Sequence, residues 1–266
     1  MECRTESMMR SRLYSWYILG VLTAANFLHY GNRNILTSMY EDLRAVFAFS
    51  NAELGLLQSA FTLPHALVTL FFGWAGDHFD RRRVIALAVA VWSVAGVASV
   101  ASSSWTTLML SRALIGIGTA ACVPLANALL CQIFRSDEKA GILAIFNLGL
   151  FVGGAVGIAI GAAYGYPSGI LLLAVPGLVL AILVYRLDLP PQSVADRDLS
   201  GRHFVAQVTE LLRIPTLRWI LAGSVIMSFA AGAYAAWLFD FLAVDKGMGN
   251  ELAFNVLGIA FFGGLV

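Results

Sequence analysis

Charged side chains are scarce in this sequence. Asp, Glu, Lys and Arg make up 12% of its 266 residues while 59% are hydrophobic, and the mean hydropathy is +0.78. Soluble domains are about a quarter charged, so water is excluded as the solvent for most of this surface and the lipid bilayer is the expected one. An excess of either sign is also lacking. Seventeen basic residues against 16 acidic ones leave a net charge of +1, and no long basic run exists, which excludes a nucleic-acid footprint. The three cysteines, Cys3, Cys122 and Cys131, form no C-x-x-C pair. The last two sit in an apolar segment as packing thiols, so neither a disulfide framework nor a metal site is expected. There is no H-E-x-x-H, no G-x-S-x-G and no phosphate-cradling Gly-Lys pair. That removes the usual signatures of an intramembrane enzyme and leaves no cofactor to expect.

What is present in quantity is long apolar runs. A bilayer-crossing helix needs about 20 mostly apolar residues, and seven segments are read as spans: Tyr14 to Met39, Leu54 to Gly76, Val84 to Ser102, Trp105 to Phe134, Ala140 to Gly165, Ser168 to Tyr185 and Leu217 to Ala243. An eighth begins near Glu251 and stops with the sequence at Val266, which reads as truncation. Arg4, Arg10 and Arg12 precede the first run as they would in a signal peptide, but the run exceeds signal-peptide length and reads as an uncleaved first span.

Thirteen of the 17 Lys and Arg fall in the amino tail, at Arg81 to Arg83, at Arg135 with Lys139, and between Arg186 and Arg218. All of these lie on one side of the predicted topology. Basic loops resist translocation, so that side, with the amino terminus, is expected in the cytoplasm. Arg44 and Lys246 fall opposite, and Arg33 and Arg112 remain inside the membrane. The one shift in composition, at 187–216, carries Pro190, Pro191 and the amphipathic stretch His203 to Ile214. It reads as a cytoplasmic linker between a six-helix bundle at 1–186 and the start of a second bundle at 217–266. Short similarities across it, Trp16 to Leu19 with Trp219 to Leu221 and Asn51 to Leu54 with Asn250 to Leu252, have the separation of about 200 residues that a parallel repeat of six-helix halves gives.

Four groups of residues carry the chemistry. Arg33 and Arg112 at membrane depth each cost at least a few kcal/mol unless they serve a purpose, and both are candidates for substrate or coupling contacts. His29, Asn32 and Arg33 share one helix face by their spacing, and an imidazole there could hold a proton near neutral pH; Asn26, Tyr30 and Thr119 add hydrogen-bonding capacity. His65 and Asp240 are weaker candidates, the first for a proton and the second for a gate. Gly149, Gly153, Gly157 and Gly161 recur at every fourth residue, a face along which two helix backbones can touch. Finally, Gly73-Trp74-Ala75-Gly76-Asp77-His78-Phe79-Asp80-Arg81-Arg82-Arg83 joins spans two and three. Its glycines permit close approach, and Asp77 can accept from a neighbouring helix end or an arginine.

That last stretch resembles the G-x-x-x-D-[RK]-x-G-[RK]-[RK] loop of major facilitator transporters, and its variant form resembles the spinster-type branch, with His78 where the family usually has Arg. Asn32-Arg33, Gly55 to Phe61, Arg112 with Gly116 and Gly118, and Ser228 to Gly232 with Trp237 extend the resemblance over nearly the whole sequence. The resemblance implies an all-α membrane fold and a bacterial inner-membrane location. It also implies a gating role at the cytoplasmic face for Gly73, Gly76, Asp77, Arg81 and Arg82, and packing of span five near the opposite half. Two positions depart from the branch: Asn32 and Thr119 stand where carboxylates are usual. Proton coupling through those positions therefore has no acceptor unless His29 substitutes, and facilitated diffusion is the alternative. The expected function is alternating access to a small organic anion, zwitterion or lysolipid-like substrate; a non-transporting sensor or scaffold of the same fold is the alternative.

Overall fold

A computed structural model describes residues 2–189, 209–249 and 251–256, with side chains from residue 12 onward. Among the described residues every regular element is a helix. They are α1 (Glu2–Asn34), a 3-10 turn (Ile35–Ser38), α2 (Tyr40–Phe47), α3 (Asn51–His78), α4 (Arg81–Val100), α5 (Trp105–Thr119), α6 (Cys122–Ile133), α7 (Lys139–Tyr164), α8 (Ser168–Tyr185) and α9 (Pro215–Asp240). A π-helical turn, Phe241–Asp245, continues α9. Only part of the expected linker and of the expected eighth span falls within the described residues, and its amphipathic stretch is described only from residue 209.

The short connections start their helices with side-chain caps. Ser50 accepts from the Glu53 amide while Glu53 accepts from that of Ser50, a reciprocal capping box at α3. Ser104 and Thr107 do the same for α5, and Asp80 accepts from the Arg82 amide at the start of α4. Pro64 and Pro176 lie inside α3 and α8, positions that membrane helices tolerate because neighbouring elements re-satisfy the freed carbonyls.

Six helical segments are long and apolar enough to cross a bilayer: Asn51–His78, Arg81–Val100, Trp105–Ile133, Lys139–Tyr164, Ser168–Tyr185 and Pro215–Asp245. They correspond to expected spans two to seven. The first expected span is less apolar than these six. Its helix is long enough, at 33 residues or about 50 Å, but Asn26, His29, Asn32 and Arg33 dilute it. Its place in the fold compensates for this. Helix α1 packs along α7 and against α8; α8 packs on α4, α4 on α5, and α5 on α3. Asn26, His29 and Asn32 are all at most 2% exposed. Leu67, Leu70, Leu87, Leu110, Leu148, Val179 and Ile182 instead point outward from the other helices, a surface suited to hydrocarbon.

The contact of α1 with α7 is a backbone contact. A Cβ at Gly149 would stand 2.9 Å from the Phe27 nitrogen, and one at Gly157 would stand 2.7 Å from the Gly31 Cα. At Gly153 and Gly161 it would overlap the Phe27 carbonyl and the Ser38 hydroxyl. The glycine face is therefore turned to α1, inside the same group of helices. Contact with α9 comes from the adjacent residues Ile158 and Ala162, which meet Phe239, Ala243, Leu238 and Leu242. Gly73 differs in kind, since nothing lies within 4 Å of where its Cβ would be.

Gly153→Ala should therefore lower stability by about 1–3 kcal/mol through overpacking, whereas Gly73→Ala should be neutral or stabilising by up to about 1 kcal/mol through helix propensity. Thermal unfolding of the two purified variants in one detergent checks this. Equal effects would contradict the assigned packing.

Candidate functional site

Four helices bring polar side chains together at the middle of the group. From α3, His65 sets its Nδ1 3.2 Å from the Gly116 carbonyl oxygen and 3.1 Å from the Thr119 hydroxyl, both on α5. A carbonyl oxygen can only accept, so the network assigns the His65 hydrogen to Nδ1 and leaves Nε2 as the basic atom. Thr119 donates to the same carbonyl at 3.0 Å. From α1, His29 is 1% exposed, and neither of its ring nitrogens has a hydrogen-bond partner. Its ring stacks on Tyr30 at 4.5 Å and lies 5.5 Å from the His65 ring and 6.3 Å from the Trp92 ring of α4.

The two intramembrane arginines separate in role. Arg112 is 3% exposed and donates to the Asn32 carbonyl at 3.2 Å, so it braces the end of α1. Asn32 turns its own amide back to the Leu28 carbonyl at 2.9 Å. Arg33 is half-buried and makes no hydrogen bond or ion pair with the described residues, yet it is near enough to His29 and His65 to act on both electrostatically. Asn26 lies apart from this cluster: its amide donates 2.8 Å to the Phe146 carbonyl and ties α1 to α7. Beside Arg33, Asn34 lines an apolar cavity of about 220 Å³ shared with Ile158 of α7 and with Ala231, Tyr234 and Phe239 of α9.

One end of the molecule carries the Gly73 to Arg83 stretch. Gly76 lies directly beneath Leu125 of α6. Arg81 donates to the Gly76 carbonyl at 2.9 Å, pairs with Asp77 at 3.2 Å, and reaches Gln132 of α6 at 3.4 Å. Arg82 donates to the Leu187 carbonyl just past α8 at 2.9 Å and pairs with Asp80 at 3.3 Å. The stretch thus ties α3, α4, α6 and the end of α8 together.

The other end joins α2 to α9. Arg44 holds both carboxylate oxygens of Asp240, at 2.7 and 2.8 Å, and also the Asn51 side-chain oxygen at 2.8 Å. Donating these hydrogen bonds to Asp240 holds the Arg44 guanidinium still more firmly in its charged form. Tyr40 and Trp237 pack at 5.3 Å, beside the Ile158, Phe239 and Ala243 cluster. Along α9, Ala236, Phe239 and Asp240 are buried, but nearly every residue from Pro215 to Ala235 is exposed. Among the described residues, its buried positions lie toward the Asp240 end.

The sequence matches the family model described as Major Facilitator Superfamily over residues 22–266. The chain belongs to that superfamily. It is 26% identical to Protein spinster of Drosophila melanogaster over 99% of this chain and 46% of that protein. It is 28% identical to spinster homolog 1 of Rattus norvegicus over 87% of this chain and 46% of the relative. The chain thus spans about half the length of the curated relatives it matches. Among solved structures, a bacterial homolog of the human lysosomal transporter Spinster, inward-facing and unoccupied, matches with a TM-score of 0.73 at 22% identity. That match covers 91% of this chain and 58% of the other. The inward-open xylose transporter XylE from E. coli gives 0.58 at 14% identity, over 85% of this chain and 58% of the other.

In a major facilitator chain, substrate sites lie near the bilayer midplane between two halves related by a repeat. Asn34, next to Arg33, lines a cavity shared with α9, whereas Arg112 and Asn26 are committed to contacts within the first group of helices. Two features escaped the sequence reading. His65 closes against His29 across two helices, and Arg44, read only as a stray cation on the sparse side, clasps Asp240 196 residues away. Neither contact has a local sequence signal.

Reversing either charge, Arg44→Asp or Asp240→Arg, should broaden the α2 to α9 distance distribution measured by pulsed EPR between spin labels on those helices. The double reversal should restore it, with a coupling energy on the order of 1 kcal/mol. Unchanged distributions in both single variants would contradict a clasp.

Proposed function

We propose that this chain forms part of a secondary active or facilitative transporter that works by alternating access on a small organic anion, zwitterion or lysolipid-like substrate. One observation carries the reading: Arg33 is a half-buried guanidinium with no ion-pair partner among the described residues, next to Asn34, which lines the cavity shared with α9. A cation at membrane depth without a counter-charge is expensive, and an anionic group of a substrate would relieve that cost. The neighbouring apolar cavity suits an aliphatic portion of the same molecule.

The layout in this reading is a six-helix bundle at 1–186, a linker at 187–216 and the start of a second bundle at 217–266. By the positive-inside rule, the end carrying Arg81 to Arg83 and the amino terminus face the cytoplasm, in a bacterial inner membrane. The Arg44 clasp then closes the far side. A clasp on that side suits a carrier open inward, the state named for the similar bacterial spinster homolog. The Gly73 to Arg83 stretch would brace the cytoplasmic ends as the halves rock. Differential affinity of the two states for substrate drives the cycle, and no bond of the substrate is made or broken.

Arg33→Ala in the intact protein, reconstituted into sealed vesicles at equal expression, should lower counterflow of an anionic substrate at least about tenfold, the equivalent of losing about 1.4 kcal/mol of binding. Unchanged flux contradicts the assignment of Arg33. Binding without any flux would favour a sensor of the same fold.

A further inference from the structure

Arg112 carries its charge into one of the driest places in the fold. The residue is 3% exposed, its one hydrogen bond among the described residues goes to the Asn32 carbonyl, and its Nε has no partner. A guanidinium has five N–H donors and no acceptor, and a buried ion without a counter-charge keeps its full desolvation cost. Leu108, one turn earlier on the same face of α5, shows what lies alongside. It packs with Leu36 and Tyr40 in one buried cluster, and Tyr166 and Trp237 pack against that cluster. Tyr40 is 1% exposed, and its hydroxyl also has no partner. The guanidinium is near enough to act electrostatically on Tyr40 and on Tyr166. The other polar groups of this region are already engaged. Tyr166 donates its hydroxyl to the Ser99 carbonyl and its amide to Asp42, each at 3.0 Å, and both oxygens of Asp240 are held by Arg44. What remains is the Arg112 Nε–H, the Tyr40 O–H and an unbalanced positive charge.

Those three features define a ligand. Water could accept from both donors, but it would leave the charge unbalanced and its own hydrogens unpaired. A carboxylate or a sulfate would supply charge but bury further oxygens that find no donor. A halide brings a single negative charge, accepts from any direction and needs nothing else. We propose that the Arg112 Nε and the Tyr40 hydroxyl hold a chloride ion, which ties α2 to α5 and to the end of α1. Tyr40 packs on Trp237 at 5.3 Å, and α2 also carries Arg44. The ion therefore steadies the base from which Arg44 clasps α9. This site is distinct from Arg33 and does not depend on any substrate bound there.

The test uses the intact purified protein in one detergent, with sodium gluconate replaced stepwise by sodium chloride or sodium bromide at constant ionic strength. Chloride should raise the unfolding temperature saturably, by at least about 2 °C, and bromide should do the same. Tyr40→Phe keeps the ring against Trp237 and removes one of the two donors. In gluconate this variant should unfold at the wild-type temperature or above, because a hydroxyl without an acceptor stabilises nothing. Its half-saturating chloride concentration should be at least about fivefold higher, the loss of roughly one hydrogen bond to an ion. Arg33→Ala should keep the wild-type chloride dependence. Pulsed EPR between labels on α2 and α9 should give a narrower distance distribution in chloride than in gluconate. Absence of a saturable halide effect in the wild type overturns the site, and so does an equal chloride dependence in Tyr40→Phe. Loss of the dependence in Arg33→Ala would place the ion at the proposed substrate contact and overturn the assignment to Arg112. An equal effect of sulfate marks general salt exclusion and overturns it as well. Equal EPR widths in the two salts overturn the connection to the clasp.

Discussion

The structure depends on keeping the polar face of α1 away from lipid. Asn26, His29 and Asn32 cannot face hydrocarbon without a large desolvation cost, so the helix that bears them must be enclosed by protein. The enclosure is made possible by Gly149, Gly153, Gly157 and Gly161, where the absence of a Cβ lets the backbone of α7 lie against Phe27, Gly31 and Ile35. With one flank so close, the other side of α1 is presented to α3, α4 and α5, which sets His29 against His65 and Trp92. It also leaves the Asn32 carbonyl within reach of Arg112. The polar cluster thus follows from helix packing.

The same packing separates residues that composition alone groups together. Arg33 and Arg112 are both intramembrane cations, but Arg112 is held by a backbone carbonyl and almost fully enclosed, whereas Arg33 is partly accessible and makes no ion pair among the described residues. A guanidinium already engaged braces the helix, and the other is the one proposed for recognition. A similar contrast distinguishes the two ends of the molecule. The Gly73 to Arg83 stretch binds neighbouring helices of one group to each other, while Arg44 and Asp240 bind that group to α9. Breaking the second set alone would let α9 move without unfolding the first group.

Much of this fold was legible in the sequence, because bilayer thickness imposes a length on every apolar run. Spans two to seven follow directly from that constraint, and the side-chain caps at Ser50, Asp80 and Ser104 occur where the runs begin. Helix α1 was legible as a helix, but its central place was not, since hydropathy reports how apolar a segment is and says nothing of which neighbours shield its polar residues. The glycine stripe was legible as a packing face, but its partner was not: spacing identifies the face, and only the three-dimensional arrangement selects α1. For the candidate site, His29, Asn32 and Arg33 could be grouped because helical periodicity links residues three and four apart. His65 and Trp92 could not be joined to them, because contacts between helices leave no periodic trace.

The proposed carrier, open inward, would expose Arg33 toward the end that bears Arg81 to Arg83. A single cysteine at that position, Arg33→Cys in a background free of Cys3, Cys122 and Cys131, tests it most directly with a membrane-impermeant thiol reagent. Labelling from the side of the amino terminus and Arg81 to Arg83, in inside-out vesicles and not in right-side-out ones, is the predicted result. Labelling from the Arg44 side alone, or from neither side, would contradict it.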